Sequence, residues 1–274
     1  MTALAPREAS RARTASTAGA TLQAEWTKAR TAPGTFWLLL AGAGLTVALG
    51  LLADAATRCQ AAACAIDPAK TALIGVYLGQ AVIVIAGVSA IGGEYGNRMI
   101  LTTLTATPRR SIVLLAKAVI LAGLVAVTGV VAVGGSLLAG RLILPGHGIG
   151  PARGLPPLSL GDDAVLRAAI GTVLYLVLIA LLSLGTAATT RDTATATGTV
   201  LALLYLFPII AAVAGAQAGR HVQQVGPMTA GLAIQATIGL RDLPIGPWAG
   251  LGVLAAWAAG ALIAGAASLR SRDA

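Results

Sequence analysis

Six long intervals of this chain contain no Asp, Glu, Lys or Arg, and they constrain its fold more than any other feature. They are Thr31–Ala53, Thr71–Gly93, Ala118–Gly140, Ala168–Thr190, Thr193–Gly219 and Leu243–Leu269. A helix that crosses a membrane needs about 20 largely apolar residues, and every interval is long enough. The sequence therefore predicts an all-α membrane protein with six transmembrane helices, at about residues 35–53, 72–92, 112–140, 168–188, 197–218 and 248–268.

Composition supports the membrane class. The chain is 57% hydrophobic and 11% charged, whereas soluble proteins are about 45–50% apolar and about 25% charged. The net charge of +9 would by itself suggest a nucleic-acid partner, but the chain has no basic patch with interleaved aromatic residues. In membrane proteins, surplus Lys and Arg mark cytoplasmic loops and contacts with anionic lipid. We therefore expect membrane lipids, and no nucleic acid, as partners.

Basic residues also predict the orientation. Twelve of the 19 Lys and Arg residues fall on the side of the N-terminus and seven on the other side, which places both termini in the cytoplasm. The Ala- and Gly-rich composition is typical of a GC-rich bacterial genome, so we expect a multi-pass protein of the bacterial cytoplasmic membrane. Residues 1–18 read as a disordered basic tail, residues 35–270 as the six-span domain and residues 271–274 as a cytoplasmic tail.

The stretch "TLQAEWTKART" precedes the first span. Leu22 and Trp26 share one helical face, while Glu25 and Lys28 lie off it. Because Trp favours the membrane–water interface, we predict an interfacial helix over residues 19–34. The alternative is an ordinary basic flank anchored by one Trp.

Residues with metal or redox chemistry are few. Cys59 and Cys64 share the first outward loop, which predicts a disulfide in an oxidising compartment; the alternative is two inert small residues. His147 and His221 are far apart and nothing has ligand-like spacing, so we expect no metal site.

Catalytic motifs are absent. The sequence has no GxSxG, no HExxH and no GxxxxGK[ST], so the chain is predicted not to be an enzyme and cannot itself be a P-loop ATPase. No acid lies within the predicted spans, since Asp54 and Glu94 are at span ends. That absence counts against an ion-coupled carrier.

A few polar and aromatic residues interrupt the apolar spans. Tyr77, Gln80, Tyr205 and Phe207 are candidate pathway residues; the alternative is that they hydrogen-bond or pack against neighbouring helices. Gly75 and Gly79 form a weak GxxxG signal for close helix packing. Pro208 should kink or locally break the fifth span. The interval 221–240 is too polar for a lipid-exposed helix and suits short re-entrant or interfacial helices.

The most polar break between spans is "GGEYGNRMILTTLTATPRR", residues 92–110. After a glycine-rich exit it contains no Gly or Pro from Asn97 to Thr107, and it ends at Pro108. It predicts an amphipathic cytoplasmic helix over about residues 94–107. The alternative is a surface helix that only lies on lipid.

This stretch and its continuation, "IGGEYGNRMILTTLTATPRRSIVLLAKAV", resemble the cytoplasmic loop of ABC transporter permeases of the type-2 exporter class. Four features carry the resemblance: an acid–Tyr pair, a basic residue, a Thr-rich stretch that ends in Pro-x-Arg, and a Lys on the third span. They correspond to Glu94, Tyr95, Arg98, Thr102, Thr103, Pro108, Arg110 and Lys117. Gly96 and Asn97 depart from it, because relatives are often more basic there. At the level of six spans the resemblance covers the whole chain.

The resemblance implies a function. Such permeases pair as two copies, and each copy binds a separate P-loop ATPase, which holds ATP and Mg²⁺, through the loop after the second span as a coupling helix. The interfacial helix adds a second contact. The implied activity is export of a hydrophobic or amphipathic compound, such as an antibiotic, drug or lipid, with a second and identical permease copy as partner and no cofactor in this chain. The alternative is an ATP-independent carrier or channel.

Overall fold

The protein is all-α, as predicted. The computed structural model describes residues 6–31, 33–58, 66–96, 110–149 and 158–271, and these residues form helices, turns and loops without a strand. The α-helices are α1 (Pro6–Thr31), α2 (Pro33–Ala56), α3 (Pro68–Ala72), α4 (Val76–Gly96), α5 (Arg110–Ile143), α6 (Asp163–Thr190), α7 (Thr193–Val213), α8 (Ala216–Val225), α9 (Pro227–Gly231) and α10 (Pro247–Ser271). Two 3₁₀ helices, Leu144–His147 and Leu232–Gln235, complete the described elements.

Six of these helices are long and apolar enough to cross a membrane, which confirms the six-span prediction. They are α2, α4, α5, α6, α7 and α10, here called the first to sixth span helices. The fifth is shorter than predicted: α7 ends at Val213, not near residue 218, because Gly215 has a φ of +77° and begins a new helix. Pro208 lies inside α7, and the helix continues through it to Val213.

The fourth span helix, α6, is the centre of the bundle and packs against α4, α5, α7 and α10. Tyr175, Ile179 and Leu184 on this helix are fully buried. Close approach to α10 depends on small residues, because a Cβ at Gly185 would lie 2.5 Å from the backbone carbonyl carbon of Ala261. The apolar core therefore surrounds α6 on several faces.

The GxxxG pair of the second span marks a close helix crossing. A side chain at Gly79 would collide with the Thr46 hydroxyl of α2, and one at Gly75 with the Thr46 backbone. On α2, Gly50 approaches the backbone of α3, with only 2.7 Å from an ideal Cβ to the Ala72 oxygen. The weak sequence signal thus corresponds to a real backbone contact.

Contacts between helix ends define two sides of the bundle. On the side here called the α1 side, α1 contacts α5 and the Arg191 guanidinium donates to the Ser268 carbonyl, 3.2 Å away. On the opposite side, here called the α3 side, Asp67 contacts Thr237 and Arg167 donates to the Ala236 carbonyl, 2.7 Å away. The polar loop after α4 begins and ends on the α1 side.

Residues 226–238 form a segment that enters the bundle, here called the re-entrant segment, in the interval where the sequence predicts short re-entrant or interfacial helices. Gly231 lies against the Tyr175 ring, twelve residues inside α6 and therefore at a depth of about 18 Å. Ile234 then packs on Gly171, and the Ala236 carbonyl accepts from Arg167. Its partners on α6 step back by four residues each time, so the segment enters the bundle and returns to the α3 side.

Two predicted boundaries need correction. α1 is helical from Pro6, so residues 6–18 belong to the same helix as residues 19–31 and are not a disordered tail, in keeping with Pro at the first helical position and the helix-forming Ala, Arg and Glu that follow. It ends at Thr31 rather than at residue 34. α4 remains helical through Gly92 and Gly93 to Gly96, where a separate coupling helix was predicted from residue 94. Small residues are needed there, because a side chain at Gly92 would collide with Thr193 of α7.

Candidate functional site

The α1 side holds a buried ion pair. Lys117 of α5 donates to the Glu25 carboxylate of α1 at 2.6 Å, and Lys28 approaches the same carboxylate at 3.1 Å. The side chains of Glu25 and Lys117 are only 7% and 5% exposed, whereas Lys28 is 38% exposed. A charge this deeply buried requires a partner, so the pair fixes α1 to the third span helix.

Around this pair, α1 buries a charged side chain and exposes apolar side chains. The acid points inward, into a small cavity of about 150 Å³ lined also by Thr35 and Ser89. Leu22 and Trp26, in contrast, are 41% and 51% exposed. Exposed apolar and buried charged side chains suit a helix whose outer face meets lipid. Glu25 and Lys28 were singled out by sequence, but Lys117 as their partner was not, because 92 residues separate Glu25 from Lys117.

Close by, a tight turn joins α6 to α7. Arg191 adopts the left-handed conformation with φ +58° and ends α6. Asp192 caps α7, because its carboxylate accepts from the Thr195 backbone N–H at 2.7 Å. Hydrogen bonds from Thr195 and Ala194 hold the pKa of the Asp192 carboxyl below its ordinary value. The turn adds an exposed anionic group to the α1 side.

Most of the predicted coupling residues lie outside the described residues, namely Arg98, Thr102, Thr103 and Pro108. Glu94 and Tyr95 fall in the last turn of α4, and Arg110 is the first residue of α5. The predicted coupling segment is thus attached directly to the second and third span helices.

Three of the four candidate pathway residues meet in one hydrogen-bonded network inside the bundle. The Gln80 amide donates to the Tyr77 carbonyl at 3.0 Å and to the Met228 sulfur at 3.2 Å. The Tyr175 hydroxyl donates to the Gln80 side-chain oxygen, and the Tyr205 hydroxyl donates to the Tyr77 carbonyl. Gln80 and Tyr175 are fully buried, and Gln80 hydrogen-bonds to Tyr175 of α6 and to Met228. Sequence reasoning missed Tyr175 and Met228, which have no local signal.

Phe207 and Tyr77 behave differently. The Phe207 ring packs edge-on against Trp257 of α10, with centroids 6.4 Å apart. The Tyr77 side chain is half-buried and lines an open cleft of about 550 Å³ between α2 and α4 on the α3 side. Of the four candidates, Tyr77 is therefore the one on the lining of this cleft.

One carboxylate fastens the re-entrant segment. Asp67 accepts from the backbone N–H groups of Ala69 and Lys70 and so caps α3. It also accepts from the Thr237 N–H at 2.5 Å, from the Thr237 hydroxyl at 2.6 Å and from the Ile238 N–H at 3.2 Å. Charge-assisted bonds of this kind are stronger than neutral ones, so Asp67 locks the α3-side end of the segment.

A second acid on the α3 side has no such partners. α2 continues to Ala56, so Asp54 lies within the first span helix, where the sequence had placed no acid. Asp54 is fully buried, and neither carboxylate oxygen has a hydrogen-bond partner among the described residues. His147 Nδ1 lies 3.0 Å from its backbone carbonyl oxygen. Cys59 and Cys64, which follow shortly after, lie outside the described residues.

Within the described ranges, no group of three or more His, Cys, Asp and Glu side chains could hold a metal ion. No family model and no curated protein matches the chain.

Proposed function

We propose that this chain is the membrane-spanning permease subunit of an ATP-driven ABC exporter. It would move a hydrophobic or amphipathic compound out of a bacterial cell, as one of two paired copies, with its termini in the cytoplasm. A separate P-loop ATPase subunit would bind ATP and Mg²⁺ and supply the work. The observation that carries this proposal is that the second and third span helices end and begin on the α1 side, where a buried ion pair also fixes α1.

Two features of that side support it. The loop is attached at both ends to long span helices, since Gly96 ends α4 and Arg110 begins α5. On the same side of the bundle, Glu25 and Lys117 hold α1 against α5. A purely lipid-facing loop would need neither a rigid attachment nor a buried ion pair. A loop that receives force from another protein benefits from both, because a displacement then moves helices rather than a flexible linker.

The roles within the loop follow from the resemblance and the charges. Glu94 and Tyr95 lie in the last turn of α4, and Arg98 follows them in the sequence. We assign these residues to contact with the ATPase, together with Thr102, Thr103, Pro108 and Arg110. The chain would not hydrolyse ATP, since it has no phosphate-binding loop.

We expect the chain to co-purify with a P-loop ATPase subunit, and the test is reconstitution of the two. We expect the purified chain alone to show no ATPase activity and the complex to hydrolyse ATP faster than the ATPase alone. Glu94→Ala and Arg98→Glu should lower this stimulation without preventing membrane insertion. Arg141→Glu is the control, because this exposed arginine ends α5 on the α3 side. Unchanged stimulation in both loop variants would contradict the proposal.

The buried Asp54 favours a second candidate, an ion-coupled carrier that needs no ATPase. Ionisable groups inside a span usually mark ion or proton coupling, and Asp54 is fully buried in the first span helix with no hydrogen-bond partner for its carboxylate among the described residues. This alternative predicts uptake or export driven by a proton or sodium gradient in vesicles that hold the chain alone, and its loss in Asp54→Asn. Transport that requires the ATPase subunit would exclude it.

A further inference from the structure

The cleft between α2 and α4 on the α3 side has both apolar and charged lining residues. Leu49, Ile74 and Leu78 are apolar, and the exposed Lys70 of α3 lines the same cleft. Its volume of about 550 Å³ falls within the range of about 300–1,000 Å³ typical of small-molecule sites. Lys70 lies in α3 and Leu78 in the first turn of α4, on either side of the turn at residues 73–75. The cleft is therefore amphipathic.

Its lining carries one cation, Lys70, and one anion, Asp67. The Asp67 carboxylate already accepts hydrogen bonds from Ala69, Lys70, Thr237 and Ile238, which leaves little capacity for a further cation. Lys70 is exposed, and no carboxylate of the described residues lies within ion-pair distance of its ammonium group. A long lysine stem can lie along apolar surface and keep its ammonium at the membrane–water boundary.

The surroundings of the apolar part favour a lipid as occupant. Ile74 and Leu78 are 45% and 54% exposed, although they lie at or next to the start of a span helix. A helix that spans the membrane is surrounded by hydrocarbon over most of its length. An occupant must therefore offer an apolar chain to these residues and a negative group to Lys70.

We propose that this cleft binds an anionic phospholipid from the leaflet on the α3 side. The phosphate group pairs with the Lys70 ammonium, and one acyl chain lies along Leu49, Ile74 and Leu78. Tyr77 is part of the same lining. The proposal does not depend on the proposed transport function, because it concerns the membrane itself.

Native mass spectrometry of the delipidated full chain tests the site. Phosphatidylglycerol and phosphatidylethanolamine with identical acyl chains are the two probes, and we expect tighter, saturable binding of phosphatidylglycerol. Lys70→Ala should weaken phosphatidylglycerol about fivefold, since a basic residue near a membrane surface contributes about 1 kcal/mol toward an anionic lipid. It should change phosphatidylethanolamine little. Leu78→Trp, which fills the cleft, should weaken both lipids.

Arg141→Ala is the matched control, since Arg141 is an exposed basic residue on the same side outside the cleft. Equal binding of the two lipids, or equal losses in Lys70→Ala and Arg141→Ala, would overturn the proposal. So would a Lys70→Ala chain that binds both lipids normally but no longer dimerises, because the cleft would then be a contact between copies.

Discussion

The buried ion pair on the α1 side makes a quantitative prediction. At 2.6 Å, the separation of Lys117 Nζ and Glu25 Oε2, the attraction is about 6 kcal/mol with an effective dielectric constant of about 20. Loss of solvation offsets much of this, yet removal of one partner of a buried pair costs about 3–5 kcal/mol. Lys28 stays within 3.1 Å of the carboxylate. For Lys117→Met we therefore expect a loss of stability near the low end of this range, about 3 kcal/mol.

Hydrogen exchange of the backbone amides of α1 measures this loss of stability locally. The pair fixes α1 to α5, so its removal should favour local opening of α1 rather than unfolding of the bundle. A loss of about 3 kcal/mol corresponds to roughly 100-fold faster exchange in the peptide over residues 19–31. Peptides from α6 should keep their protection.

Lys28→Met is the matched control. It removes the same charge from the same carboxylate, but Lys28 is 38% exposed, and exposed pairs contribute only about 0–1 kcal/mol. We expect at most about fivefold faster exchange. If the two variants accelerated exchange equally, or if Lys117→Met left α1 unchanged, the argument that burial makes this pair an anchor would be refuted.

Three further perturbations test the packing and the caps. Gly79→Leu should destabilise the bundle by about 1–3 kcal/mol through overpacking, because its side chain would meet Thr46, while Gly93→Leu, with nothing nearby, should cost less; thermal unfolding in detergent compares them. Asp67→Asn should weaken the bonds to Thr237 by about 2 kcal/mol and speed hydrogen exchange of residues 236–240, and unchanged exchange would contradict the role of Asp67 as a lock. Since hydrogen bonds depress the pKa of Asp192 in the folded state, its contribution should be complete above its ordinary pKa of 3.8 and be lost as pH falls through the lower folded value. The stability difference between wild type and Asp192→Ala should therefore shrink only in acid, and a constant difference from pH 7 to pH 2 would show that the cap is not charge-dependent.

The span count could be predicted because one physical quantity determines it. The thickness of the hydrocarbon core sets a minimum apolar length, and six charge-free intervals exceed it. The re-entrant segment was equally predictable, since its polarity excludes exposure to lipid. The end of the first span could not be predicted in this way. Each predicted interval ends before its first charged residue, which places the end of the first one at Ala53. The protein instead buries Asp54 inside the helix.

Partners across the chain could not be predicted. Glu25 and Lys117 each appear in the sequence as an ordinary charged residue, and only packing of α1 on α5 joins them. The same holds for Gln80 and Tyr175, which lie 95 residues apart, and for Asp67 and Thr237, which lie 170 residues apart. Periodicity reports which face of a helix is apolar, but it contains no information on which polar groups face each other.

The contacts of Gln80 and Asp67 connect α4, the re-entrant segment and α3 with one another. α4 is a continuous helix from Val76 to Gly96, so Gln80 lies about 24 Å from its α1-side end. At this position on α4, Gln80 hydrogen-bonds to Tyr175 of α6 and to Met228 of the re-entrant segment. A rigid helix displaced at one end must move the groups bonded along it. If the loop after α4 receives force, as proposed, we expect the re-entrant segment to be the first element on the α3 side to respond, with the Asp67 bonds as its restraint.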